Sequence, residues 1–124
     1  MRVLIVEDTE VVRREVAAIL AGHKHLCDLA DNGLEGVKLA LTRRYDLILS
    51  DLTMPVLDGF KFIARVRKSD KNADTPILVF SALRDRDSVA KAMTLGIQGY
   101  VVKPIVEADL LARVRSFDPT VPSP

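Results

Sequence analysis

Cysteine is nearly absent: Cys27 is the single thiol in 124 residues, which excludes an intramolecular disulfide and any cysteine-rich metal cage. Set in the apolar run LCDLA, it reads as a small core hydrophobe. No run of 18 apolar residues occurs, so no membrane-spanning helix is expected. The opening run RVLIV stops at Glu7, too early for a secretory h-region, and the expected compartment is the cytoplasm. An excess of one charge is missing too. Eighteen basic residues against 17 acidic ones leave a formal charge of +1, with no global field for nucleic acid or an anionic membrane. The HKH at 23–25 lacks a third ligand nearby and reads as a solvated turn rather than a metal pair.

What is present is a globular balance, 48% hydrophobic and 28% charged, in a chain of one-domain length. Such a chain buries roughly two-thirds of its unfolded surface. Five short apolar runs recur, at 3–6, 26–30, 47–49, 77–80 and 100–102. They are near-continuous rather than alternating, as strands covered on both faces should be. Between them the period changes. Val12, Val16, Ile19 and Leu20 form one helical stripe, Leu34, Val37 and Leu41 a second, and Val106, Leu110, Val114 and Phe117 a third. Segments 59–68, with Phe62, Ile63 and Val66, and 85–96, with Val89, Ala92 and Met93, are shorter helices.

Asn32 followed by Glu35 resembles a capping box, and Gly22, Gly96 and Gly99 stand where helices should stop. The polar loop SDKNADTP at 69–76 reads as the most mobile connection, far from the chemistry. Residues 1–117 form the expected domain, and the proline-rich 118–124 a frayed tail or the start of a linker.

A strand–helix unit repeated five times requires a parallel sheet with right-handed crossovers and helices on both faces. Ligands of such folds bind at the C-terminal strand edge, where the strand order reverses. Glu7 and Asp8 follow the first strand, Asp51 the third, Ser81 the fourth, and Lys103 and Pro104 the fifth. In a sheet of order 2-1-3-4-5 the first and third strands are neighbours, so three carboxylates converge there. Their mutual repulsion needs compensation. Lys103 supplies one positive charge, and a hard divalent ion such as Mg²⁺, which takes carboxylates, waters and a substrate phosphate, suits the remainder.

The motifs LIVED at 4–8, LILSDLTMPVLDG at 47–59, VFSA at 79–82 and YVVKP at 100–104 together resemble the receiver domain of two-component response regulators. The resemblance runs to about residue 117. It implies a flavodoxin-like, doubly wound α/β fold and a signalling domain rather than a classical enzyme. It implies further that Asp51 is the phosphoacceptor for a histidine kinase or phosphotransfer protein. Asp8, Asp51 and the backbone carbonyl of Thr53 would then hold Mg²⁺ directly, and Glu7 through water. Lys103 pairs with Asp51 at rest, through a strand end whose bond to Pro104 resembles the family's cis peptide. Ser81 and Tyr100 are the implied switch pair, carrying the signal to the surface of the fourth helix, fifth strand and fifth helix. Output would pass to a downstream protein or a C-terminal domain, without direct nucleic-acid binding, from a monomer or a weak phosphorylation-dependent dimer. Met54, Pro55, Asp58 and Gly59 shape the loop and start the third helix. Glu7 is a departure, one methylene longer than the aspartate common in the family.

Three other readings compete. A haloacid-dehalogenase-like phosphatase needs a second acid two residues beyond the nucleophile, where this chain has Thr53. A dinucleotide-binding domain needs a GxGxxG after the first strand, and none is there. A degenerate receiver, acting without phosphorylation as an interaction module, would not need the complete set of five polar residues.

Overall fold

The computed structural model describes residues 1–120; the end of the proline-rich tail lies outside the described residues. Ten elements alternate: β1 (Arg2–Val6), α1 (Glu10–Ala21), β2 (Leu26–Ala30), α2 (Gly33–Thr42), β3 (Leu47–Ser50), α3 (Gly59–Arg67), β4 (Ile77–Ser81), α4 (Arg86–Thr94), β5 (Gly99–Val102) and α5 (Glu107–Arg115). The strands form one parallel sheet of order β2-β1-β3-β4-β5. This is the parallel sheet covered on both faces that the alternating pattern predicts, in the doubly wound, flavodoxin-like form that the resemblance implies.

Two cores cover the two faces of the sheet. Leu4, Val6, Ile48, Ile77 and Val79 point to one, packed against Val37 and Ala40 of α2 and Phe62, Ile63 and Val66 of α3. Val3, Ile5, Leu47, Leu49, Leu78 and Phe80 point to the other, against Val16 and Leu20 of α1 and Leu110 and Val114 of α5. Strands β1, β3 and β4 are buried on both sides, so their runs are apolar without alternation. The edge strand β2 departs from that pattern. Leu26 and Leu29 are exposed there because β2 has a neighbour on one side only.

Helix α2 also departs from the expected stripe. Leu34 and Leu41 face solvent, while Gly33, Gly36, Val37 and Ala40 face inward. The inward positions are small because the helix packs close: a Cβ on Gly36 would lie 2.8 Å from the Phe62 ring and 3.0 Å from Val6 Cγ2. Cys27 is half-buried against the α1 side of the sheet, and Val106 is an exposed N-cap rather than a core position.

Caps follow the sequence closely. Asn32 Oδ1 accepts from the Glu35 amide at 2.9 Å, but the Glu35 carboxylate turns to Lys38, so only half of the capping box forms. Asp58 and Asp85 cap α3 and α4 in the same way. Gly22 is the C-cap of α1, and Gly96 (φ +83°) closes the turn after α4. Gly99 stops no helix; it opens β5, where Leu78 leaves no room for a Cβ. The HKH segment is a turn with Lys24 at φ 67°, and His25 Nδ1 lies 3.0 Å from the N-terminal amine.

The loop at 69–76 is not the loose connection that its polarity suggests. Ser69, Asn72 and Thr75 are buried. Asn72 Nδ2 donates to the carbonyls of Ala40 and Arg43, and its Oδ1 accepts from the Tyr45 amide and the Thr75 hydroxyl. Arg67 adds bonds to the carbonyls of Ala73, Thr75 and Gly96. The loop does lie at the N-terminal strand edge, away from the acids, because it feeds β4.

Candidate functional site

The register of the sheet builds the site. Val6 pairs with Ser50 across β1 and β3, so Glu7 and Asp51, the next residue on each strand, leave the sheet side by side. The Asp51 amide donates to the Val6 carbonyl at 3.0 Å, and the Glu7 amide to the Ala30 carbonyl at 3.0 Å. The last ladder bonds therefore fix the backbone that carries both acids. Asp8 follows at the surface, and the three carboxylates come together with ligand oxygens within 4.8 Å of one another.

Lys103 arrives from the other side. Its Nζ lies 2.8 Å from Glu7 Oε1 and 3.0 Å from Asp51 Oδ2. The side chains of Glu7 and Asp51 are almost wholly buried, and that of Lys103 is 19% exposed. The Lys103 amide bonds the Ser81 carbonyl, which ties the end of β5 to β4, and the Lys103–Pro104 peptide is cis. Burial alone would lower the Lys103 pKa, but its hydrogen bonds to Glu7 and Asp51 outweigh that and hold it above its ordinary value. Glu7 moves the other way from most paired carboxyls. Burial raises it, the Lys103 bond opposes, nearby Asp51 adds to the rise, and its pKa stands at about 7.

Asp51 is held on both oxygens: Oδ2 by Lys103, and Oδ1 by the Leu52 amide at 2.6 Å and the Thr53 amide at 3.4 Å. The following loop is shaped by close approach. A Cβ on Gly59 would fall 2.1 Å from the Asp51 carbonyl oxygen, so α3 starts against the backbone of the acid. Between them Val56 sits at φ 70°, with the Leu57 amide bonding the Pro55 carbonyl at 2.8 Å in a γ-turn. That conformation is strained for a β-branched residue. Val56 is 75% exposed, five residues after Asp51.

The expected switch pair also meets, through Leu83. Ser81, fully buried, accepts from the Leu83 amide on Oγ at 3.2 Å, and the Tyr100 hydroxyl donates to the Leu83 carbonyl at 2.6 Å. Tyr100 is thus not a strand aromatic with a solvated hydroxyl, and burial raises its pKa.

Whether a cation suits the cluster can be judged from its donors. Three hard carboxylates face one lysine, and Glu7 Oε2 is buried with no hydrogen-bond partner among the described residues. A buried carboxylate oxygen without a partner is costly, and a divalent ion with oxygen ligands is what such a set accepts. The residues fit. One contributor was not visible in the sequence. Arg13, in the first turns of α1, donates from Nη1 to the carbonyls of Glu7 at 2.8 Å and Asp8 at 3.3 Å. An arginine on an amphipathic helix ordinarily reads as solvated, so no pattern singled it out.

Comparison with known proteins agrees with this fold. The profile of the response regulator receiver domain matches residues 3–115. The transcriptional regulatory protein CusR of Escherichia coli is 40% identical over 117 residues, covering 94% of this chain and 51% of CusR. The chain spans about half the length of such curated relatives. The chemotaxis protein CheY4 of Vibrio cholerae superposes with a TM-score of 0.89 at 30% identity, covering 94% of this chain and 98% of that one. The receiver domain of the sensor histidine kinase PA1611 of Pseudomonas aeruginosa, solved with magnesium in its active-site cleft, gives 0.87 at 28% identity, covering 94% and 95%. This chain therefore belongs to the response regulator receiver domain family of two-component systems.

Proposed function

We propose that this receiver takes a phosphoryl group from a phosphohistidine onto Asp51. The observation that carries the reading is the buried Asp51 carboxylate, held by Lys103 at 3.0 Å and flanked by Glu7 and Asp8. An Asp51 oxygen attacks phosphorus, the P–N bond to the donor imidazole breaks with its electron pair on nitrogen, and an aspartyl phosphate forms. Most of the catalysis is positioning and charge neutralisation.

Lys103, 3.0 Å from Asp51 Oδ2, would pair with a phosphoryl oxygen once Asp51 carries the acyl phosphate. Glu7, Asp8, Asp51 and the Thr53 carbonyl are the proposed Mg²⁺ site, with Glu7 acting through water; the ion would neutralise charge on the phosphoryl oxygens. The PA1611 receiver, with magnesium in its cleft, supports that choice of ion. Ser81 would donate its hydroxyl to the new phosphoryl. If Oγ swings toward the phosphoryl to donate, the bond it accepts from the Leu83 amide lengthens, and the Leu83 carbonyl that receives Tyr100 shifts with it. About 1.5 to 2 added negative charges thereby bias the face formed by α4, β5 and α5. Sensor histidine kinases or phosphotransfer proteins are the proposed donors, and a downstream protein or a C-terminal output domain the proposed reader.

Incubation with acetyl phosphate or phosphoramidate and Mg²⁺ should add one acid-labile phosphoryl by intact mass, and Asp51→Asn should abolish it. Persistent labelling of the Asn variant would remove Asp51 as the acceptor.

A further inference from the structure

The acids of the cluster are held differently. Glu7 and Asp51 are each fixed by Lys103, and Asp51 also by two backbone amides. Asp8 is exposed and is not among the partners of Lys103, so its aim depends on the backbone that carries it. That backbone has left the sheet: the ladder ends at Val6 and the last strand-to-strand bond is made by the Glu7 amide. The carbonyls of Glu7 and Asp8 are beyond it, and both receive the same Arg13 guanidinium nitrogen, at 2.8 and 3.3 Å. Arg13 in turn is seated one helical turn after Thr9, with its amide on the Thr9 carbonyl at 2.9 Å. The guanidinium thus closes a short loop from β1 to α1 around Asp8.

We propose that Arg13 is a positioning residue for the acidic pair, holding the Glu7–Asp8 backbone so that the Asp8 carboxylate faces the cation. The inference rests on the reading of Glu7, Asp8 and Asp51 as a Mg²⁺ site. Two effects of Arg13 act in opposite directions. As a positive charge near the acids it repels a cation and weakens binding, by an amount that salt screens. As a clamp it preorganises a ligand and strengthens binding, and residues that orient metal ligands typically contribute about 10- to 100-fold in affinity. The clamp dominates here because the guanidinium is spent on two carbonyls rather than aimed at the carboxylates.

The sign of the change therefore decides between them. Titration of the chain with MgCl₂ by calorimetry, at low and at moderate salt, should give a dissociation constant several-fold weaker for Arg13→Met than for the wild type. Arg13→Lys keeps the charge and the stem but lacks the planar fork that spans two carbonyls, so it should be weakened as well. An Arg13→Met affinity equal to or tighter than wild type overturns the proposal. If Arg13→Met does not fold, an unchanged affinity in Arg13→Lys overturns it equally. A double variant supplies the remaining control: in an Asp8→Asn background, Arg13→Met should produce little further loss, and full additivity means that Arg13 does not act through Asp8. A wild-type chain that takes up no Mg²⁺ overturns the cation reading and this inference with it. A wild type that binds while both Arg13 variants match it overturns the role of Arg13 alone.

Discussion

At the scale of single residues the most perturbed acid of the cluster is Glu7. It is fully buried, bonded to Lys103 on one oxygen and unpartnered on the other, and its pKa is raised from an ordinary 4.5 to about 7. A carboxyl raised in this way binds a proton in the folded chain that the unfolded chain has already released. Between pH 4.5 and about 7 the metal-free protein should therefore lose stability as pH rises, with the loss complete above pH 7. The size follows from roughly 1.4 kcal/mol per pKa unit, which puts the loss on the order of 2 kcal/mol after allowance for the coupling to Asp51 and Lys103. Urea denaturation in EDTA at pH 5 and pH 8 measures it. Glu7→Gln cannot ionise and should flatten the difference between the two; an undiminished slope in that variant would mean that another group titrates. The extra methylene over aspartate, legible at once in LIVED, is thus accommodated inside the protein, in contact with Lys103.

At the scale of elements, what the sequence could and could not reveal divides along a physical line. Strands β1, β3 and β4 were legible because burial on both faces leaves only apolar residues. Of the α2 stripe only Val37 faces inward, because the rest of that side is built from the small residues Gly33, Gly36 and Ala40, which carry little hydrophobic weight, while Leu34 and Leu41 point outward. Close packing selects small residues, and periodicity of large ones cannot register that. The loop at 69–76 was misread for a related reason: buried polar side chains look like solvated ones in a string of letters. Asn72 uses its amide fully, donating to Ala40 and Arg43 and accepting from Tyr45 and Thr75, and so fixes the entry to both β3 and β4. Asn72→Ala should leave several buried backbone groups unpaired and cost about 2 to 4 kcal/mol. Thermal unfolding reads the loss, and hydrogen exchange should show the Tyr45 amide, protected in the wild type, opening in the variant. A loss under about 0.5 kcal/mol, ordinary for surface substitutions, would restore the loop to the loose connection its composition suggests.

At the scale of the whole molecule, the candidate site was more legible than the elements that support it, because the fold delivers the residues at the ends of β1, β3, β4 and β5 to a single edge. Glu7, Asp8, Asp51, Ser81 and Lys103 span almost the full chain, yet each is marked by following an apolar run. What stayed hidden was whatever acts through backbone: the Arg13 clamp and the Leu83 peptide between Ser81 and Tyr100. The convergence also loads the folded state. Three carboxylates gather around one lysine in the native chain and disperse in the unfolded one, so a cation at the cluster binds the folded form in preference. At a Mg²⁺ concentration ten times the dissociation constant that preference adds about 1.4 kcal/mol of stability. For a domain of this size the corresponding rise in Tm is roughly 5 °C. A melt with MgCl₂ against one with EDTA should show that rise, reversed by chelation, at constant ionic strength. A monovalent salt at equal ionic strength should not reproduce it, and Asp8→Ala, which leaves the Lys103 pairs intact, should abolish most of it. A rise that survives in Asp8→Ala would place the ion elsewhere on the molecule, and equal melts with and without Mg²⁺ in the wild type would mean that Lys103 and a protonated Glu7 already balance the acids unaided.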